Sequence, residues 1–527
     1  MATRTAPAAA TFDLLGSRAL QRATLVAVVA AGAGLRLWML ASGQSPLDGD
    51  QAVTGLMARR ILHGKDVYVF WAGGRYMGTF EQYLQAATFG LLPDNAFTLR
   101  LPEILISTAT AVLLYFVALR ILGTPWRATL ATALFSFWSY FNLLYGIKSA
   151  GSIATGTLIG LAGIYLALLL DTEGRGRTWI AAGFGACCGL AFWELWSTAY
   201  VLLPAALWAV ASARGSLQRL VPAALVGFVV GAAPALLWAL KYLSIPSPFS
   251  SPATPSSTVF DRSQTLTDAQ VPMFLGVKSF NATPIASWLP SSLVVWALVA
   301  AFAVGLWWRR SGIVAMLRLS PRGRAPIDPI LLAFLFLPVL WLAARFAWFA
   351  GEPRYLEPLA PAAAIGLAAL LPRVGSRLPA IVGMALLAAA VSVTALSIHT
   401  VSPAVHAGLF VQNASVRTQC LPRIVDALDA RHIRSAYADF WLAYPLQFQA
   451  GERLAIAPTY ASRFPDLTAR ADSDPHAAYI APLGPGADEV ATALRDHHTR
   501  FTRADVCDVV IFRGLRSTPH PAEIGLP

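Results

Sequence analysis

The sequence predicts an α-helical polytopic membrane protein with a small α/β domain at its C-terminal end. Apolar residues make up 56% of the 527 positions and charged residues only 13%, against roughly 25% charged in soluble proteins. Apolar runs of about 20 residues, each long enough to cross a hydrocarbon core of about 30 Å, recur up to position 400. Beyond that the runs cease and the composition becomes globular.

The candidate spans are 23–40, 104–122, 128–145, 153–170, 179–196, 198–211, 221–243, 288–308, 330–349, 356–371 and 379–398, about eleven in all. The basic segment 1–22 leads directly into a run of span length, so it reads as a cytoplasmic N-terminus followed by an uncleaved helix. Alternating from there places every basic cluster on the inner side. These clusters are Arg4, Arg18 and Arg22; Arg120 and Arg127; Arg175 and Arg177; Arg214 and Arg219; Arg309, Arg310, Arg318, Arg322 and Arg324; and Arg373 and Arg377. The chain then sits in the cytoplasmic membrane with its C-terminus outside. Its net charge of +12 is explained by Arg beside the spans, where it orients them and meets anionic lipid, so nucleic acid is not expected as a partner.

Three outer segments follow from this topology. The first loop, 42–103, concentrates charge: Asp48, Asp50, Lys65, Asp66, Arg75, Glu81, Asp94, Arg100 and Glu103. The second, 244–287, opens with SIPSPFSSPATPSST, a composition suited to a flexible crossing or lid. The third, 401–527, contains RSAYADF and DVVIFRG, which read as strands, and CLPRIVDALDA, which reads as a helix. Cys420 and Cys507 both fall in this segment, on the oxidising side, so a disulfide is expected; two free buried thiols are the alternative. Cys187 and Cys188 lie inside a span as small apolar residues. His63, His399, His406, His432, His476, His497 and His498 show no H-x-x-x-H spacing, so no zinc site is expected.

The phrases LDGDQAVTGLMARRILHGKDVYVFWAGGRYMGTFEQYL, FTLRLP and EPRYLEPLAP, in that order and on one side, resemble the bacterial membrane glycosyltransferases of the GT-C fold. The similar branch contains the protein O-mannosyltransferases and the lipid A aminoarabinose transferase. The resemblance spans about residues 20–400, and YADFWLAYPLQFQAGERLAIAP resembles the tails of other bacterial members. It implies an inverting transfer of sugar from a polyprenyl-phosphate carrier to a glycan, lipid or protein acceptor. Many relatives have Asp-Glu where this chain has Asp48-Gly-Asp50, so the catalytic acid aligns with either residue.

Such a transfer needs a carboxylate to take the acceptor proton and positive charge to hold the departing phosphate. Asp50 is the candidate base, with Asp48 as the alternate. Close carboxylates repel, so either one pKa rises or a divalent cation bridges the pair, a spacing that is weak evidence for a metal. Asp48 is equally a helix cap before QAVTGLMARRIL, which reads as an amphipathic interfacial helix. The resemblance places Glu81 beside the donor and acceptor cleft; an ion pair with Arg75 or Arg100 is the plain alternative.

Arg354, with Tyr355 beside it, is the candidate for the carrier phosphate, since a guanidinium meets phosphate bidentately. A loop-pinning pair with Glu352 or Glu357 is its alternative. Lys148 is a second cation at the same depth, or an interfacial anchor. Arg100 contacts substrate or snorkels to headgroups. Glu194, at the hydrocarbon edge, is a sugar ligand or faces a wet cleft. The competing functional classes are a lipid-linked sugar transporter or flippase and a polysaccharide ligase or polymerase. No internal repeat of the kind transporters carry is visible.

Overall fold

The computed structural model describes residues 17–149, 151–171, 176–245, 258–344, 351–371, 377–411 and 414–526. The proposed lid segment 246–257 and the cluster residues Arg4, Arg175 and Arg373 lie outside the described residues.

Helix α1 (Arg18–Ala41) starts on the Ser17 side chain, which accepts from the Leu20 amide. The first polar loop holds α2 (Gly49–Leu62) and α3 (Phe80–Leu91). Helix α4 (Leu101–Leu122) ends at Gly123, whose φ of +75° closes the helix as glycine readily does. The apolar run at 128–145 does not form one helix. It makes α5 (Pro125–Phe137), turns at Trp138 and Ser139, and resumes as α6 (Tyr140–Tyr145). Ser139 sits at φ +67°, and the Asn142 amide donates to the Phe135 and Trp138 carbonyls that the break frees. The turn carries the chain to Lys148.

Four helices follow: α7 (Ile153–Leu169), α8 (Arg177–Glu194), α9 (Ala199–Ala213) and α10 (Leu217–Tyr242). Helices α8 and α10 touch through a seam of small residues. A Cβ on Gly185 would lie 1.9 Å from the Ala224 carbonyl oxygen, and one on Gly227 would lie 1.9 Å from that of Ala182. With Gly189 and Gly231 one turn on, this is the close backbone approach that drives helix association in lipid.

Short helices α11 (Val259–Gln264) and α12 (Val271–Phe274) precede α13 (Ser291–Trp308), α14 (Arg310–Leu317), α15 (Asp328–Ala343), α16 (Ala360–Ala369) and α17 (Leu378–Ala407). Five helical stretches among the described residues are long and apolar enough to cross a membrane: Arg18–Ala41, Thr98–Leu122, Trp196–Tyr242, Ser291–Trp308 and Leu378–Ala407. Ile153–Leu169, Asp328–Ala343 and Glu357–Ala369 are apolar but shorter.

The chain enters its C-terminal domain directly from α17. Strands β1 (Leu409–Val411) and β2 (Ala414–Val416) pair antiparallel. Then come α18 (Cys420–Ala430), β3 (Ser435–Ala438), α19 (Phe440–Ala450), β4 (Ala455–Pro458), α20 (Pro465–Asp472), β5 (Ala478–Pro482), α21 (Pro485–Asp496), β6 (Thr502–Val506) and β7 (Val509–Arg513). The sheet order is β4-β3-β5-β7-β6, with β3 parallel to β4 and β5, and β7 antiparallel to β5 and β6. Every position of β3, β4 and β5 is buried, because helices cover both faces. The strands read from RSAYADF and DVVIFRG are β3 and β7, and the helix read from CLPRIVDALDA is α18. Cys420 and Cys507 are joined by a disulfide, with Cα atoms 6.0 Å apart.

Helix α2 is not the surface helix its sequence suggests. It is enclosed, with Gln51 to Ala58 all buried, because α19 of the C-terminal domain packs on it. Leu47, Val53, Leu56, Met57, Phe89, Phe440, Tyr444, Phe448 and Phe464 form one apolar core across the two segments. The residues that read as a polar face serve the same contact. Arg59 stacks 3.9 Å from the Phe448 ring centroid, and Arg60 pairs with Glu452 at 2.8 Å and Asp466 at 2.9 Å.

Candidate active site

Asp48 starts α2: its Oδ1 accepts from the Gln51 amide at 2.9 Å. Asp50, in the first turn, benefits from the same helix terminus. The break at Ser139 and the loop before α16 bring three more charges to these acids. Lys148 Nζ lies 3.0 Å from Asp48 Oδ2 and 3.2 Å from Glu352 Oε2. Arg354 pairs closely with Glu352 in its own loop and stands 3.6 Å from Asp50 Oδ2. The result is an unbroken relay of alternating charge: Asp48, Lys148, Glu352, Arg354, Asp50. Lys148 and Glu352 are buried, while Asp48, Asp50 and Arg354 each keep part of their side chain accessible.

Electrostatics separates the acids. Burial pushes the Asp50 carboxyl up, Arg354 opposes this, and Asp48 adds to it. Burial works against ionisation of Glu352 too, but Arg354 and Lys148 overcome it and hold the group at about 2. The two carboxyls therefore differ: that of Asp50 is raised by its burial, and that of Glu352 is held low between two cations. The repulsion expected between Asp48 and Asp50 is met by separate cations, Lys148 and Arg354.

Residues 79–238 match the family model described as dolichyl-phosphate-mannose-protein mannosyltransferase. Among solved structures the chain is similar to ArnT from Cupriavidus metallidurans bound to undecaprenyl phosphate, with a TM-score of 0.61 and 15% identity, over 95% of this chain and 100% of that one. The chain shares the fold of that ArnT structure. The apo Archaeoglobus fulgidus oligosaccharyltransferase gives a TM-score of 0.48 and 11% identity, over 91% of this chain and 71% of that one. Comparison with curated proteins finds no match.

The other sequence candidates divide. Tyr355 is half-buried beside Arg354 and bonded to Tyr76; burial, then Tyr76, raises its hydroxyl. Arg100 does not snorkel. It is buried, donating to Gln51 Oε1 at 2.8 Å and to the Ser45 carbonyl at 2.7 Å, so it braces the entry to α2. Glu81 makes no ion pair with Arg75 or Arg100; its Oε1 accepts from the Thr155 amide at 3.0 Å, deep inside the protein. Glu194 accepts from the Phe80 amide at 3.0 Å and closes the N-terminus of α3, filling the space that Gly78 leaves open. Lys148 is a buried bridge rather than an interfacial anchor, and Arg354 has its expected partner in Glu352. The central place of Glu352 was not legible, although EPRY set it two residues from Arg354. Tyr145, three residues before Lys148 in YGIK, helps to hold the Glu352 carboxyl low.

Proposed function

We propose that the protein is an inverting glycosyltransferase that moves a sugar from a polyprenyl-phosphate carrier to an acceptor hydroxyl at the outer face of the cytoplasmic membrane. The observation that carries this is the placement of Asp50 against Arg354 at the end of the charge relay. The carrier phosphate binds Arg354 and Lys148, and the ArnT structure, bound to undecaprenyl phosphate, supports that lipid class. The Arg354–Asp50 contact is the longest in the relay, so it yields first to the incoming phosphate. Asp50 is thereby freed as a base in a site where burial already favours its protonated form.

The acceptor oxygen attacks the anomeric carbon as its proton passes to Asp50. The bond from that carbon to the phosphate oxygen breaks, and the electron pair leaves on the phosphate, where Arg354 and Lys148 stabilise the charge. One displacement inverts the anomeric configuration. Asp48 holds Lys148 and caps α2, so it positions rather than reacts. The Arg-rich connections support an inner N-terminus and an outer C-terminal domain.

The test is incubation of the purified protein with radiolabelled polyprenyl-phosphate hexoses and pentoses and a membrane extract. Label that moves from the carrier to an extract component supports transfer. Label that stays on the carrier for every sugar overturns it.

A further inference from the structure

The phrase YADFWLAYPLQFQAGERLAIAP folds as β3, α19 and β4, and its helix meets the candidate site head-on. Phe440, first residue of α19, touches Gly49, first residue of α2. A Cβ on Gly49 would lie 2.8 Å from Phe440 Cε1 and 3.2 Å from its carbonyl oxygen. Gly49 stands between Asp48 and Asp50, so the residues around Phe440 are neighbours of the acid pair.

Three of them form a connected group. Asp439 caps α19, accepting from the Trp441 amide at 2.8 Å. Tyr460, just past β4, donates to Asp439 and accepts from the Trp441 side chain. Its ring stacks on Phe440 at 6.0 Å, and Trp441 meets Phe440 edge-on at 5.1 Å. Burial, then Asp439, pushes the Tyr460 hydroxyl up to about 12. Trp441 remains 37% exposed, although it is a large apolar side chain.

We propose that Asp439, Trp441 and Tyr460 form a pyranose-binding shelf on which a saccharide acceptor presents its hydroxyl to Asp50. The proposal rests on the transferase reading for its second half. An accessible indole offers a flat apolar surface to the C–H face of a sugar ring. The carboxylate and the phenol oxygen beside it accept from ring hydroxyls, fixing orientation with few polar groups. Arg354 from the membrane loops stands against Asp50, and Phe440, with Tyr460 stacked on it, brings the C-terminal domain against the neighbouring Gly49. The lipid-linked donor arrives with the membrane helices, which leaves the shelf to the acceptor.

The experiment is saturation-transfer NMR on the full-length protein in sugar-free nanodiscs, with methyl α-mannopyranoside, methyl β-glucopyranoside and methyl β-galactopyranoside as probes. At least one glycoside binds the wild type, and Trp441→Ala weakens it about tenfold. Trp441→Phe, which keeps the packing on Phe440, and Asp439→Asn, which keeps the cap, each weaken it less. Binding of polyprenyl-phosphate mannose is unchanged in all three. The proposal is overturned if no glycoside binds, if Trp441→Ala binds like the wild type, or if the loss falls on the lipid-linked donor instead. Glycoside binding at the shelf without any sugar transfer supports the saccharide site and sinks the transferase reading separately.

Discussion

The guanidinium of Arg354 pairs with Glu352 in its own loop and reaches across to Asp50, 3.6 Å away on α2. That placement makes the two ends of the reaction separable. Arg354→Ala removes a charged donor to the carrier phosphate, so the donor KM rises about 10- to 100-fold. Arg354→Lys restores only part of it, since a point charge lacks the planar fork. Steady-state kinetics with varied donor checks both. An unchanged donor KM in Arg354→Ala would move the phosphate elsewhere.

The pH profile follows from the raised Asp50 carboxyl. A base must be ionised to act, so kcat/KM rises with pH through that raised value. The ascending limb therefore lies above the ordinary Asp value of about 3.9. Arg354 opposes the rise, so Arg354→Lys keeps the limb near its place and Arg354→Ala moves it further up. Glu352 has the opposite sign: held at about 2, it contributes stability that is present above the ordinary carboxylate value and lost only as pH falls towards 2. A limb at or below the ordinary Asp value contradicts the assignment.

Arg60 tests the hold of the C-terminal domain on the first loop. It is buried and bonds Glu452 and Asp466 at once, on the same helix that carries Asp50 in its first turn. Arg60→Met leaves a half-buried Glu452 with only Lys65, and breaking such a pair costs on the order of 3 kcal/mol. Thermal unfolding followed by fluorimetry shows a lower Tm, and activity at low temperature falls with it as α2 loosens. An unchanged Tm means the two segments are held by the shared apolar core alone.

Metal removal gives a further check. Lys148 and Arg354 already supply a cation to each tandem carboxylate. Transfer measured after treatment with excess EDTA and in metal-free buffer therefore stays within about twofold of the untreated rate, well short of the 10²-fold losses that removal of a catalytic charge brings. A large loss restored by a divalent ion would mean that a cation displaces these side chains.

The parts of the fold that were legible are those with local signals. Helix α18 stands where its spacing put it, and strands β3 and β7 where short strand-like runs put them, since both are buried along almost their whole length. The break at Ser139 carries no Pro or Gly to announce it; its cause is tertiary, the delivery of Lys148 to acids on other elements. Lys148 and Glu352 are 204 positions apart, and Arg60 and Glu452 are 392 apart. Such pairings arise only when the bundle and the C-terminal domain close together, so sequence supplied the individual charges and not the relay. The partners of Arg100 and Glu194 were not legible for a related reason: the backbone atoms they bond, at Ser45 and Phe80, come from turns that spacing does not reveal.

The central claim is that Asp50 is the base, and single-turnover transfer from radiolabelled polyprenyl-phosphate sugar measures it most directly. Asp50→Asn keeps the size of the side chain and most of its hydrogen bonding but cannot take the proton. The account predicts a chemical step slower by about 10² to 10⁴, with donor binding retained, while Asp48→Asn, which still caps α2, is impaired less. Near wild-type transfer by Asp50→Asn would contradict the account and place the base on another carboxylate.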